Sequence, residues 1–395
     1  MKITRSPFVL AFTLLAFLAA CSSAPQVQKP PVVQAPPKSP ELLNLTWEPG
    51  APPYLASGFV TLAGQKILVI ADTASPFSYV YPSSELQRIV QLAGLPVQAT
   101  AHSLTYSTLT LGNVTFSKLT LHTGGRYRKA GRDYPRALVL GADALLNHWL
   151  TWKASTHTLT ISLQKPSFQG VALPCALVER QEAAPFWVLT GQLAGQPANF
   201  LIDTGNGSSF ARLQGAQGSA PIPVNGIAPG GDTWNLSLYS SPPLQLGGLS
   251  WSTLPVMDEQ NSYFAGRLGF SFFRGTDWCG FFGKTPTQGP EFWVTAPPEW
   301  QAAKNGSYGF GLGLYLIEGG WTVIVSEVVP SFSQRPALGS QVTAVNGIPA
   351  TGANFPLIWE ALQKPQLELS WIEGTSILTR TFHRTELATP EQNAL

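Results

Sequence analysis

Charged side chains are scarce in this sequence, at 12% of 395 residues with a formal net charge of +2, where about a quarter is usual. Such a balance offers no basic face to a nucleic acid, so that partner class is set aside. Histidine is nearly as rare: His102, His122, His148, His157 and His383 are isolated from one another, no Cys/His grouping has metal-ligand spacing, and neither a metal nor a cofactor is expected. With three cysteines, Cys21, Cys175 and Cys279, the chain is no disulfide-built scaffold. Long apolar runs are missing too, since the run over residues 8–20 is short for a membrane-spanning helix.

What is abundant is turn chemistry. The 37 glycines and 34 prolines punctuate many short runs of Val, Leu, Thr and Trp, which predicts a mainly β chain. One amphipathic helix is expected over residues 84–94, where Leu86, Ile89, Val90 and Leu92 recur near helical spacing and Gly94 supplies a stop.

The same motif is written twice. Leu62-Ala63-Gly64-Gln65 leads to Asp72-Thr73-Ala74-Ser75, and Leu193-Ala194-Gly195-Gln196 leads to Asp203-Thr204-Gly205-Asn206, with the Asp ten positions after the Leu in both copies. Two later landmarks recur in the same order. Residues 109–116 match 244–251 in apolar pattern and glycine placement, and Leu140-Gly141 matches Leu268-Gly269. A repeat of this kind points to two related halves. In each half an apolar run, Ile67 to Ala71 or Phe200 to Ile202, reads as a buried strand delivering its aspartate at the exit.

At these residues the chain resembles the aspartic proteases of the pepsin-like and retropepsin-like kind, over about residues 45–295. The resemblance implies that Asp72 and Asp203 form a catalytic pair, sharing one proton because two carboxyls about 3 Å apart cannot both ionise. One would act as base on a bridging water while the other donates to the substrate carbonyl. It also implies that Thr73 and Thr204 bond across to the opposite half, that Gly205 belongs to the signature, and that Ser75 reaches the outer oxygen of Asp72. Val139-Leu140-Gly141 and Arg267-Leu268-Gly269 resemble the segments that cross behind each signature. Three positions depart from the family pattern: Ala74 in place of Gly, Asn206 in place of a small residue, and Arg267 in place of an apolar one.

A flap over the substrate is expected in each half. Residues 97–109 form a candidate hairpin carrying His102 and Tyr106, with Tyr106 the aromatic that would meet substrate, and residues 227–239 have Pro229-Gly230-Gly231 at a plausible tip. Arg126, Arg128, Lys129 and Arg132 make a basic stretch that reads as a solvated loop or a contact for acidic groups.

After Trp300 the pattern changes. Gly311-Leu312-Gly313-Leu314, followed by a strand over 342–345 and the turn Asn346-Gly347, resembles a PDZ domain. Residues 311–314 would then be the loop whose backbone N–H groups bind a peptide carboxylate.

At the other end, Lys2 and Arg5 precede the short apolar run, and Leu18-Ala19-Ala20-Cys21 resembles a bacterial lipobox, which implies cleavage before Cys21 and a lipid on it. Ser22 in the next position points by family analogy to the outer membrane. The Pro-, Gln- and Ser-rich segment that follows has no core-forming pattern and reads as an extended tether.

The expected architecture is a signal peptide (1–20), a tether (21–43), two acid-protease-type β-barrel lobes (44–165 and 166–297) and a PDZ-like β-rich domain (298–387). The expected function is that of a lipid-anchored periplasmic endopeptidase acting on polypeptides, with peptide C-termini as ligands of the last module. An inactive peptide-binding lipoprotein on the same scaffold is the alternative. A PDZ-bearing serine protease is disfavoured, because Gly205-Asn206-Gly207-Ser208-Ser209 does not supply the required Gly-Asn-Ser-Gly-Gly. Cys175 and Cys279 are left as either a disulfide or two buried thiols.

Overall fold

The computed structural model describes residues 41–46, 55–80, 84–94, 96–100, 102–123, 137–206, 210–211, 222–227, 233–240, 242–251, 255–258, 264–273, 275–295, 310, 312–317, 322–330, 334–362 and 364–384. The signal peptide, Cys21, nearly all of the tether, the basic stretch at Arg126 to Arg132, the tip Pro229 to Gly231 and Gly311 fall outside these residues. Residues 40–395 form one compact unit, and it is mainly β.

Two of its sheets repeat one another strand for strand. In the first half the order is Ser57–Leu62, Gln65–Ala71, Ala137–Leu140, Tyr79–Val80, Val114–Thr123, Ser103–Leu111, Gln98–Ala99. In the second the corresponding path is Ala183–Leu193, Gln196–Asp203, Gly266–Gly269, Phe210–Ala211, Pro255–Asp258, Thr233–Ser240, Ile222–Ile227. Neighbours along each path are antiparallel, parallel, antiparallel, parallel, antiparallel and antiparallel in turn. The likeness reaches single dihedrals: φ is positive at Ala63 and Gly64, and again at Ala194 and Gly195, as a two-residue hairpin with both central residues left-handed requires. Leu109 pairs with Phe116 and Leu111 with Val114, as Leu244 pairs with Trp251 and Leu246 with Leu249. In the first half this hairpin is continuous; in the second it is split into two pieces.

A six-stranded sheet joins the halves, in the order Leu42–Thr46, Thr158–Ser162, His148–Lys153, Trp278–Phe282, Glu291–Val294, Val171–Ala172. At its centre Trp152 lies opposite Trp278 and Leu150 opposite Gly280. The strand Leu42–Thr46 begins just inside the expected tether, because Leu43 and Leu45 alternate into the core. Aromatic side chains fill the space around this sheet: Trp187 stacks on Phe282 with centroids 5.2 Å apart, and Trp278 on Phe292 at 5.5 Å. Cys175 and Cys279 are free thiols, each pushed up to about 11 by burial.

The helix spans Ser84–Ala93. Leu86, Ile89 and Val90 are buried, whereas Leu92 is exposed, because at about 100° per residue Leu92 lies about 120° around the helix from Leu86 and outside the stripe that the other three share.

The C-terminal segment is tied to both halves. Its hairpin, Leu312–Ile317 with Thr322–Val328, joins the second half's sheet where Asn225 and Gly226 pair with Val328 and Glu327. A further four-stranded sheet, Ile348–Pro349, Val342–Val345, Gln366–Glu373 and Ser376–His383, and the helix Phe355–Ala361 complete it. Phe310, Leu312, Leu314, Phe355 and Ile358 share one buried cluster with Leu55, Leu68, Ile70, Ala137 and Val139 of the first half. A core shared in this way unfolds as one. We therefore expect Phe310→Ala to cost about 3–5 kcal/mol and urea unfolding, followed by tryptophan fluorescence and circular dichroism together, to remain a single coincident transition. Two separate transitions would show that the segment folds on its own.

Candidate active site

Each aspartate arrives at the end of a central strand whose neighbours are already paired. Asp203 is the last residue of Gln196–Asp203, in register with Gly269. Asp72 follows Gln65–Ala71 by one residue and keeps the ladder going, its N–H donating to the Leu140 carbonyl at 2.9 Å. Side chains alternate across a strand, so Asp72 shares a face with Leu68 and Ile70, and Asp203 shares one with Leu201.

The two turns then interlock. Thr73 Oγ1 donates to the Ile202 carbonyl at 2.7 Å, and Thr204 Oγ1 donates to the Ala71 carbonyl at 2.6 Å. Each threonine N–H donates to the other's hydroxyl at 3.2 Å. Both residues are fully buried, so the four bonds are shielded from water and each unmade one would leave a desolvated group. Across this junction the structure brings Asp72 and Asp203 near enough for their charges to act on each other.

The carboxyls meet at Gly205. A Cβ built there would lie 2.3 Å from Cγ of Asp72, while the Gly205 N–H donates to Asp203 Oδ1 at 3.2 Å. No side chain fits at Gly205 against the Asp72 carboxyl. On the other side of the pair, Ala74 N–H and Ser75 N–H both donate to Asp72 Oδ1, at 3.0 and 2.9 Å. Ala74 performs the role of the expected glycine without a positive φ, because only its N–H is needed. Ser75 differs from expectation: its backbone reaches Asp72, but its hydroxyl turns away to the Phe77 carbonyl at 2.8 Å. The turn ends match as well, with Ala142 N–H donating to Ser75 O and Phe270 N–H to Asn206 O.

Burial raises the pKa of both carboxyls. For Asp72 the two backbone N–H groups and the charges of Arg267 and Arg180 pull the other way. For Asp203, which is 3% exposed, the negative charge of Asp72 adds to burial, against Arg267 and Gly205. The pair therefore holds a proton above the ordinary carboxylate range.

Two arginines border the pair. Arg267 Nη1 lies 3.0 Å from Asp203 Oδ2. Arg180 donates to the Ala74 carbonyl at 2.8 Å and lies over the Phe186 ring, 3.3 Å from its centroid. Sequence reading marked Arg267 only as an unusual residue and passed over Arg180, which sits in an ordinary Glu-Arg-Gln-Glu stretch with no signal of its own.

The remaining expectations fare unevenly. Tyr106 is corrected: it is 0% exposed, on a strand whose inward positions face the core, so it is a packing residue and not a flap aromatic. His102 lies at the exposed turn of the short hairpin in which Gln98 pairs with Thr105. The longer hairpin belongs to the second half, with Ile222 to Ile227 paired against Thr233 to Leu238. In the last module Leu312 and Leu314 point into the buried cluster, so any ligand contact there falls to the backbone. Leu312–Ile317 ends its sheet order, which leaves one strand edge unpaired among the described residues. No group of three or more His, Cys, Asp or Glu among the described residues is placed to hold a metal.

The face beside Asp72 is covered by the C-terminal segment, through the cluster that includes Ile70 and Val139. Its counterpart beside Asp203 is a separate small cluster of Val188, Leu201 and Phe264, against which Ala74 and Phe186 pack. The two approaches to the pair thus differ in what walls them. No family model matches the chain, and no curated protein matches it significantly.

Two outcomes follow from the junction and the raised carboxyls. Thr73→Val should destabilise the fold by roughly 1–3 kcal/mol, because it strips a donor from the Ile202 carbonyl and an acceptor from the Thr204 N–H; equilibrium urea titration reads this. For the carboxyls the folded pKa lies above the unfolded one, so the folded chain binds more protons and stability falls as pH rises from about 4 through the folded value. Asp72→Asn keeps an oxygen acceptor for Ala74 and Ser75 and removes a like charge, and its melting temperature should exceed that of the native chain at pH 8 but match it at pH 4.

Proposed function

We propose that the chain is an aspartic-type endopeptidase of the bilobal kind, with Asp72 and Asp203 as its catalytic pair. The reading rests on one observation above all: two copies of the same strand-and-turn unit, locked by reciprocal threonine bonds, bring their carboxyls within electrostatic reach of each other, with Gly205 packed so closely on Asp72 that it has no room for a side chain. A shared proton is what this arrangement is suited to supply. One carboxylate removes a proton from a water as its oxygen attacks the peptide carbonyl, while the protonated partner donates to the carbonyl oxygen. The resulting diol collapses when a proton reaches the amide nitrogen and the C–N bond breaks. Substrate is a polypeptide in extended form, and the edge of Leu312–Ile317 that is unpaired among the described residues is suited to pair with a peptide tail in the manner of a PDZ domain. By the same reading the chain is lipid-anchored at Cys21 and works in the bacterial periplasm. A second reading, a peptide-binding protein without hydrolysis, is favoured by the guanidinium seated on Asp203.

The two readings separate in one assay. Purified full-length chain, incubated with an unstructured protein and followed by mass spectrometry, should release internal fragments. A peptide mimic carrying a central hydroxyl should block that release, and Asp72→Asn and Asp203→Asn should each lower the rate by about 10³-fold or more. Turnover that survives either substitution removes the pair from the chemistry. Saturable peptide binding without fragments selects the second reading.

A further inference from the structure

Beside the acid pair the two halves differ at one matching strand position. In the first half Ile70, two residues before the aspartate, is in register with Val139; in the second half Leu201, also two residues before the aspartate, is in register with Arg267. At this pair of matching positions the repeated framework therefore carries an aliphatic side chain in one half and a guanidinium in the other. That guanidinium touches Asp203 at 3.0 Å, with the arginine side chain 29% exposed and the aspartate side chain 4%.

The hydrogen bonds divide along the same line. Asp203 receives a donor on each oxygen, Gly205 N–H on Oδ1 and Arg267 Nη1 on Oδ2. Among the described residues Asp72 receives its donors, Ala74 N–H and Ser75 N–H, on Oδ1, and its Oδ2 is the oxygen that faces Gly205. Donors to both oxygens favour the ionised form, while an oxygen outside the donor set is the natural seat of a proton. The charged groups around the pair are few. Arg267, from Gly266–Gly269, contacts Asp203 directly and also reaches Asp72 through its charge, as does Arg180 from Cys175–Arg180, whose Nη2 is engaged by the Ala74 carbonyl; a negative charge on Asp72 raises Asp203, and the direct ion pair with Arg267 is the interaction that works against it.

We propose that Arg267 is a positioning residue that fixes the negative charge of the pair on Asp203, making Asp203 the base toward water and Asp72 the proton donor. This deepens the endopeptidase reading and rests on it for the chemistry, though not for the ionisation order. In the first step Asp203 takes a proton from water, the water oxygen bonds to the carbonyl carbon, and the Asp72 proton passes to the carbonyl oxygen. In the second, the proton now on Asp203 goes to the amide nitrogen, the C–N bond breaks, and Asp72 takes a proton from one hydroxyl of the diol. The products are an acid and an amine, and the pair returns to its starting state with Asp203 ionised.

Carboxyl carbon NMR on full-length chain labelled at aspartate Cγ tests the order without needing turnover, the two resonances being assigned by their loss in Asp72→Asn and Asp203→Asn. The expected result is that Asp203 ionises first on raising the pH and Asp72 keeps its proton to higher pH. In Arg267→Leu the first midpoint should rise by a pH unit or more and the order should be lost, and Arg267→Lys should restore both. A chain that hydrolyses nothing but shows this order fails as a protease while keeping the assignment. Asp72 ionising first in the native chain, a reading that requires no variant to fold, overturns the proposal, as do midpoints and order unmoved in Arg267→Leu. Where turnover is found, the acid limb of kcat/KM should move to higher pH in Arg267→Leu and return with Lys; a purely structural arginine would lower the whole profile without moving the limb.

Discussion

Everything at the site depends on two threonine hydroxyls that each leave their own half and bond to the other. Thr73 and Thr204 point away from solvent and satisfy the carbonyls of Ile202 and Ala71, which are the residues just before the two carboxyl-bearing turns. A buried carbonyl at a strand end has to find a donor, and here each half can supply the other's only when the turns are face to face. The requirement of backbone satisfaction thus sets the distance between acids contributed by remote segments of chain. The carboxyls themselves work against this arrangement, since they are desolvated like charges, so the junction has to be bonded tightly enough to hold them there.

Around that junction duplication and divergence are easy to separate. Turn dihedrals, strand order and hairpin register repeat between the halves. The differences concentrate on what touches the acid pair: a guanidinium against Asp203 in place of the aliphatic Val139, and the C-terminal segment over one apolar face but not the other. They are the features that give the two carboxyls unlike surroundings.

Much of this was legible in the amino-acid order because the constraints are local. The Leu-Ala-Gly-Gln turns and the Asp-Thr starts recur at fixed spacing, and a period-two strand delivers whatever lies at its exit. The helix at Ser84 was readable for the same reason, while Leu92 was misassigned by one side of the turn. Pairings between distant residues were not legible. Tyr106 reads as an ordinary strand aromatic whichever face it takes, and only the packed structure decides that it lies in the core. Arg180 and Arg267 are single charged residues without a motif, and their meaning comes from the strands opposite them. The attachment of residues 310–384 to the first half was hidden likewise, because a change of pattern after Trp300 resembles a domain boundary even where the core continues across it.

That continuing core has a consequence for biosynthesis. Leu68, Ile70 and Val139 are made early and acquire their cover only when Phe310, Leu312 and Phe355 have been added. Until then the nascent polypeptide carries a bare aliphatic surface next to an incomplete sheet, the kind of species that attracts chaperones and self-associates if left alone. The segment from Phe310 to Phe382 therefore acts as the closing stitch of maturation: a chain cut short before it would leave the earlier-made first half without its cover.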